Sequence, residues 1–410
     1  MNRRRSQMAR VILILFGALA AVAQPASAQE PSSPDGTPLR IATWNLLNLF
    51  DNIDHPDRPD EGTDPKSYWN LKLMAEAVDA LDVDVLGVQE VESRDILVQL
   101  NSHLAHPFAF VELLEGNDGR GIDVGVLSRL PLDRASSHRN TDIGGEHRFA
   151  RDFPVFRIWP AEHQPIEIGV VHFKSKRGEK EQSDAWRRAE AEGVRRIILE
   201  RRARSPQVPF IVMGDFNDHR DAETLEPLFS FLDDATVLCP IEDRDSFGLP
   251  GRREQIDFIL TTSDLEATRA EIIHREDRVS DHDAIVVEFT WKGEIQRQTV
   301  PAGMDWEEPT RPQLSATDLD GLRNHLLQEV AATGVVTKIH RTRSGSAAIL
   351  NFAEDYRQAV TARIYSEAQG NFPDLDSLVG KTVTVRGPVC FDRGVFRIQM
   401  TNSEQLSVAK

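Results

Sequence analysis

The chain has 410 residues, 40% hydrophobic and 28% charged, with 22 Pro and 25 Gly. Collagen, coiled coil and wholesale disorder are excluded, because enough apolar side chains exist to offset the entropy of ordering. The length exceeds one ordinary core and points to roughly two domains. Of the net charge of −17, residues 1–28 carry +4 and residues 311–410 carry +2, leaving −23 on residues 29–310. So acidic a segment repels phosphate at long range, and any polyanion has to be admitted by local cations.

The chain opens on Arg3, Arg4, Arg5 and Arg10, followed by an apolar run over residues 11–23 and by Ala26-Ser27-Ala28. Small residues stand at the two positions a signal peptidase inspects, so the pattern predicts export after cleavage near Ala28, to the periplasm or beyond. The apolar run spans only about 20 Å as a helix, short of a bilayer core, so no stable membrane anchor is expected. Residues 39–44 and 84–89 read as apolar strands flanking a helical pattern over 68–81. Runs at 108–111, 122–127, 154–158 and 166–172 follow with short turns, which brings antiparallel pairing into an α/β chain. Ser183 is expected to cap a helix running to about residue 204. Strands at 209–213, 256–260 and 284–289 close this region. Pro301, Pro309, Pro312 and the Glu307-Glu308 pair predict a linker over 292–316, between a domain at 38–291 and one at 317–410. Beyond it, runs at 335–339, 347–352, 360–365, 382–389 and 394–399, with a short helical piece at 375–379, suit a small closed β-barrel. Cys239 and Cys390 are too few for a disulfide framework or a usual zinc site. They read as unpaired apolar residues, with a single interdomain bridge as the alternative.

Polar residues recur where predicted strands end: Asn45, Glu90, Asp215 with Asn217, and Asp281-His282. Strand ends at one rim of a sheet converge in space, so these oxygen donors can share a small volume. Shared carboxylates demand a cation. Oxygen ligands without thiolates favour Mg²⁺ foremost, or Mn²⁺ or Ca²⁺. Asp257 breaks an apolar run and needs a buried partner, for which His282 is the natural donor. His172 ends the strand at 166–172.

The strings Thr43-Trp44-Asn45, Gln89-Glu90, Val171-His172, Gly214-Asp215-Phe216-Asn217, Ile256-Asp257 and Ser280-Asp281-His282 stand in the order found in the endonuclease/exonuclease/phosphatase superfamily, to which deoxyribonuclease I is similar. The resemblance spans residues 38–291. It implies a four-layer α/β sandwich, two packed mainly antiparallel sheets flanked by helices, with the site at one rim. It also implies a metal shell of Asn45, Glu90 and Asp281, with Asp215 and Asn217 orienting nucleophile and phosphate. His282, backed by Asp257, resembles the general base, His172 the donor to the phosphorane or leaving oxygen, and Arg151 a phosphate-contacting arginine. Leu47 departs from the acidic residue that some abasic-site endonucleases carry there, which argues against a repair role. Arg120, in Asp118-Gly119-Arg120-Gly121, and Lys174 and Lys176, in Lys174-Ser175-Lys176-Arg177, are the expected rim cations.

The C-terminal region resembles an oligonucleotide/oligosaccharide-binding (OB) fold. Phe352, Tyr356, Tyr365 and Phe396 are candidate stacking residues, and Arg343, Arg357, Arg363, Lys381 and Arg397 candidate cations. Alternation turns several of those aromatics inward. The expected activity is that of an exported, divalent-metal-dependent phosphodiesterase hydrolysing DNA or RNA by in-line attack of water. Nucleic acid is the expected partner, and no protein partner is expected. The alternatives are a phosphatase or phospholipase acting on inositol phosphate, nucleotide or sphingomyelin, and an inactive nucleic-acid binder.

Overall fold

A period of two along the strands sets the architecture, because alternate residues face opposite sides of a sheet. In β1 (Leu39–Leu49), Leu39 and Ile41 join one buried cluster while Ala42, Trp44 and Leu46 join another, so both faces of the strand are covered. The computed structural model describes residues 38–53, 63–248, 253–275 and 279–409, and the expected leader lies outside them. All of these fall in one compact unit, Gly36–Lys410. No helix among the described residues is long and apolar enough to cross a membrane.

After β1 come α1 (Tyr68–Leu81), β2 (Val85–Val91), α2 (Arg94–Ser102), β3 (Phe110–Leu114), β4 (Asp123–Ser128), β5 (Leu132–Ser136), β6 (Val155–Ala161) and β7 (Gln164–His172). Then follow α3 (Lys180–Arg204), β8 (Phe210–Asp215), α4 (Glu226–Phe229), β9 (Asp233–Asp234), β10 (Asp257–Thr261), β11 (Ala267–Ile273) and β12 (Ala284–Phe289). The strands form two six-stranded sheets, in the orders β11-β12-β1-β2-β4-β3 and β5-β6-β7-β8-β10-β9. Each holds one parallel pair, β1 with β2 and β7 with β8. Between the sheets, aliphatic side chains such as Ile41, Val126, Ile168, Met213 and Ile259 interdigitate. Met74 and Val78 of α1 and Leu97 of α2 cover the outer face of the first sheet, and Val194 and Ile198 of α3 that of the second. The α/β layering read from the sequence is present. Helix α1 has the expected bounds. Ser183, however, is no cap: α3 starts at Lys180, and the Ser183 hydroxyl donates to the Lys180 carbonyl oxygen at 3.0 Å inside the first turn.

Residues 292–312 hold neither helix nor strand, yet they are a packed strap. Backbone N–H groups of Gln296, Gln298 and Gly303 donate to Pro160, Arg129 and Leu104. Trp306 stacks on His103 at 4.0 Å. Arg311 lies 4.2 Å over the Trp69 ring and donates to Glu329 at 3.0 Å.

The remaining elements are β13 (Gln313–Ser315), α5 (Leu319–Arg323), β14 (Glu329–Val335), β15 (Lys338–Arg341), β16 (Ala347–Asn351), β17 (Thr361–Tyr365), β18 (Thr382–Asp392), β19 (Val395–Gln399) and β20 (Leu406–Val408). Their ladder is an open path, β13-β14-β18-β19-β17-β16-β15, with β20 on β18. The closed barrel expected from sequence is therefore not drawn by the pairing. The run read as one strand over 335–339 is interrupted at Val336 and Thr337, and its two halves pair with different neighbours, β18 and β16. Phe352 and Phe396 are core residues, Tyr356 is exposed and Tyr365 half-buried. Cys239 and Cys390 are both buried and free.

Candidate active site

The inter-sheet face of several strands runs out of aliphatic residues at one rim and continues in polar ones. On β7 the series Ile166, Ile168, Val170 ends in His172; on β8, Ile211 and Met213 end in Asp215; on β10, Ile259 is preceded by Asp257. The ladder fixes these three side by side, Asp215 facing His172 across one pairing and Asp257 across the other. Asn45 continues the same face of β1 in the opposite sheet, and its amide donates to Asp215 Oδ2 at 3.2 Å, bridging the two sheets. Register shifts fall at Asn45 in β1 and beside Glu90 in β2, where bulges re-aim side chains. Gly214, φ 141°, lets β8 end here, since a Cβ would stand 2.0 Å from the Val171 carbonyl oxygen.

Four of the nine non-glycine residues with positive φ among the described residues, Leu47, Asn48, Glu90 and Asn217, border this rim. Such conformations are held only where surroundings over-determine them, and they concentrate at functional sites. Asn48 N–H donates to Glu90 Oε2 at 3.0 Å, and Asn217 N–H to Asp215 Oδ1 at 2.8 Å. Asn217 also donates its amide to the Phe173 carbonyl oxygen at 3.0 Å.

His282 Nδ1 lies 2.8 Å from Asp257 Oδ2, the pairing expected from the sequence. Ser246 donates its hydroxyl to that same oxygen at 2.7 Å, and Phe247 covers the imidazole with ring centres 4.7 Å apart. The loop carrying His282 is moored to β1, because Trp44 Nε1 donates to the His282 carbonyl oxygen and Ser280 Oγ to that of Asn45. Burial alone would lower the His282 pKa. Asp257, by charge and hydrogen bond, with Asp215 and Asp281, instead lifts it to about 10. Burial pushes Asp215 up to about 7, aided by the charges of Asp257 and Glu90. His172, whose Nε2 is 3.5 Å from Asp215 Oδ2 and 3.8 Å from Glu90 Oε1, is driven well below the usual histidine range by burial and then by Arg151, Arg120 and His282. Two histidines that both approach Asp215 are thus shifted in opposite directions.

A cleft of about 740 Å³ opens over these groups. Glu90, Arg120, Arg151, His172, Lys174, Lys176, Asp215, Asn217, Asp281 and His282 all line it, with Asn45 and Asp257 buried beside them. All twelve residues singled out in the sequence therefore meet at one place. The four cations are not free-standing, however. Arg151 is buried, with Nε 2.9 Å from Asp118 and Nη1 donating to the Phe173 carbonyl oxygen. Arg120 also pairs with Asp118, at 3.2 Å. Lys174 donates to the Ser175 and Arg177 carbonyl oxygens, and Lys176 pairs with Asp218 at 3.2 Å. Sequence reasoning missed Asp118 as the shared counter-ion, Ser246 and Phe247, which sit in a loop without periodicity, and Trp186, which lines the cleft and stacks on His147 at 5.0 Å. It also missed Glu190. This buried carboxylate of α3 accepts from Ala150 N–H (2.8 Å) and Lys174 N–H (2.7 Å), tying together the two loops that carry Arg151 and Lys174.

The donor set fits a divalent cation. Asp215, Asp257 and His282 form a buried group whose ligand atoms lie within 4.8 Å of one another and can hold such an ion. Glu90 and Asp281 open onto the same cleft. Crowded carboxylates, one with Oδ1 of Asp257 left without a hydrogen-bond partner, are a repulsive arrangement that a cation relieves.

The Endonuclease/Exonuclease/phosphatase family matches residues 42–282, and the chain belongs to that family. Its members are typically metal-dependent phosphoric ester hydrolases. Among solved structures, truncated TDP2 from Caenorhabditis elegans is 17% identical, covering 62% of this chain and 97% of its own, with a TM-score of 0.46. An endonuclease/exonuclease/phosphatase family protein from Bacteroides thetaiotaomicron is 18% identical over 62% of this chain and 95% of its own, TM-score 0.46. The human Nocturnin catalytic domain, solved with a sulfate anion, is 18% identical over the same shares, TM-score 0.46. No curated protein matches the chain.

Proposed function

We propose that the protein is an exported, divalent-metal-dependent phosphodiesterase that hydrolyses nucleic acid by in-line attack of water. The observation that carries this reading is the convergence of Glu90, Asp215, Asp281, the Asp257–His282 pair and His172 on one cleft rimmed by arginine and lysine. Glu90, Asp281 and the neighbouring Asn45 would hold the ion, Mg²⁺ foremost. Bound there, it neutralises charge that builds on the phosphoryl oxygens. The charge states redistribute the roles expected from sequence. With its pKa at about 10, His282 carries its proton at neutral pH and serves as the cation facing the developing phosphorane. Asp215, oriented by the Asn217 N–H, is then the acceptor for the proton of water. Neutral His172 donates a hydrogen bond to a phosphoryl oxygen, and Asn217 positions it. Arg120 and Lys174 admit phosphate locally against the acidic surface. Export rests on the sequence of the leader. An additional C-terminal sheet beside the catalytic domain supports a polymer rather than a small ester.

Incubation with plasmid DNA, RNA, p-nitrophenyl phosphate and sphingomyelin, each with and without EDTA, tests the reading. Cleavage of DNA or RNA, abolished by EDTA, is the expected result. Turnover of sphingomyelin alone assigns a phospholipase, and turnover of p-nitrophenyl phosphate alone a phosphatase. Turnover of none with any divalent ion reduces the protein to a binder.

A further inference from the structure

The catalytic cleft does not end at the catalytic domain. Leu47 and Asn48, which wall it beside Glu90, also wall a second polar pocket of about 280 Å³ whose far side is made by Tyr365, Arg397 and Gln399 of the C-terminal sheet. Along β17, Ala362 and Ile364 point into the core while Arg363 and Tyr365 point out. The parallel register sets Arg363 beside Gln399 of β19. Arg363 Nη1 approaches the Tyr365 hydroxyl at 3.4 Å, and its guanidinium stands 5.9 Å from that ring. One outward face therefore presents an aromatic plane, a guanidinium and an amide next to the bulged backbone that frames Glu90.

The face is fixed in place. Arg397 contacts both carboxylate oxygens of Asp64, the closest at 2.6 Å, with both side chains largely buried. Tyr68 N–H donates to Glu329 at 2.9 Å, and Thr401 Oγ1 bonds Asn70. Asp64, just ahead of α1, and Tyr68 and Asn70 in its first turn thus lock the C-terminal sheet onto the catalytic domain.

From this continuity we infer that Tyr365, Arg363 and Gln399 form a docking track for the single-stranded stretch of nucleic acid adjoining the scissile phosphate, reached from the cleft across Asn48. The inference rests on the phosphodiesterase reading above and deepens it. A single strand is the occupant the chemistry selects, because unpaired bases expose faces that stack on an aromatic ring while guanidinium and amide groups meet phosphate and base edges. A phosphomonoester or a headgroup reaching only the catalytic cleft makes no use of a ring beyond Asn48.

The test compares wild type and Tyr365→Ala on a single-stranded oligonucleotide of about 12 nucleotides and on bis(p-nitrophenyl) phosphate, with Mg²⁺ saturating. Tyr365→Ala is expected to raise KM for the oligonucleotide roughly tenfold, in the range given by loss of one base–aromatic stack, with kcat unchanged. Tyr365→Phe restores the wild-type KM. Bis(p-nitrophenyl) phosphate is expected to be hydrolysed alike by all three proteins. An oligonucleotide KM unmoved by Tyr365→Ala, while wild type cleaves the oligonucleotide, overturns the track and leaves the nuclease reading standing. An equal loss on both substrates also overturns the track, since it marks a general structural defect. A wild type that hydrolyses the small diester but no oligonucleotide overturns track and nuclease reading together.

Discussion

Replacing Asp257 by Asn keeps the shape of the side chain and removes its charge, which isolates the electrostatic role of the Asp257–His282 pair. Burial favours neutral imidazole, and the 2.8 Å contact with Asp257 is the foremost influence that reverses this and lifts His282 to about 10. With the carboxylate gone, His282 is expected to titrate near or below the free-histidine value of 6.5, a fall of at least roughly 3.5 pH units or about 5 kcal/mol. At pH 8 the imidazolium then drops from nearly complete to about 3% of molecules, so turnover of bis(p-nitrophenyl) phosphate falls about thirtyfold and recovers toward pH 6. Two measurements check this: NMR titration of the imidazole in the metal-free protein, and the pH profile of kcat/KM with Mg²⁺ present. The sign for stability follows as well. A histidine whose folded pKa is raised stabilises fully below pH 6.5 and loses that contribution as pH rises through about 10. Asp257→Asn should therefore flatten the decline of Tm over that window. A wild-type His282 that titrates near 6.5, or an Asn variant equally impaired at every pH, would refute the reasoning.

Glu90→Gln removes one of the charges that push Asp215 up, so metal affinity, measured by calorimetry, is expected to fall at least tenfold while Tm without metal is kept or rises. In the metal-free wild type, Asp215 and Glu190 are raised from 3.8 and 4.5 to about 7 and shed stability as pH climbs through that window, whereas His282, raised from 6.5 to about 10, sheds it as pH climbs from 6.5, by up to about 1.4 kcal/mol per unit per group while it titrates. Saturating Mg²⁺ should oppose that decline, by RT ln(1 + [Mg²⁺]/Kd), and a Tm indifferent to Mg²⁺ at pH 8 would count against the site. Arg397→Met leaves Asp64 buried without its partner, for which a loss of about 3 kcal/mol in chemical denaturation is expected. Glu190→Gln can satisfy only one of the Ala150 and Lys174 N–H donors as an acceptor, so kcat is expected to fall about tenfold with stability reduced by about 1–3 kcal/mol.

What the sequence disclosed is what local periodicity and strand ends encode. The alternation Ile166, Ile168, Val170, His172 states both that β7 is half of an inter-sheet core and that its last inward residue is polar, and β8 and β10 say the same of Asp215 and Asp257. Three polar inward termini on neighbouring strands are a site by geometry alone. The polar edge strand β11 and the nine-residue helix α2 carried too weak a pattern to be seen. The closed barrel does not form because the strand-like run at 335–339 breaks at Val336 and Thr337, where hydrogen bonding passes from β18 to β16, a break its sequence does not reveal.

The cations fared differently, and the reason is physical. Composition showed an acidic segment and loops bearing Arg120, Lys174 and Lys176, which suggested free positive groups awaiting phosphate. In the fold, Asp118 and Asp218 hold Arg120, Arg151 and Lys176 in ion pairs before any ligand arrives. Phosphate binding at this rim must then proceed by exchange of an acid for a phosphate oxygen rather than by capture on a bare cation. Removing Asp118 should expose this difference: Asp118→Asn releases Arg120 and Arg151 from their shared counter-ion, so affinity for inorganic sulfate or phosphate in the metal-free protein should rise several-fold. Had the arginines been free from the start, the same change would leave anion affinity where it was. Because Arg151 is also pinned by the Phe173 carbonyl oxygen, most of the gain is expected from Arg120, and Arg120→Ala in the Asp118→Asn background should abolish it.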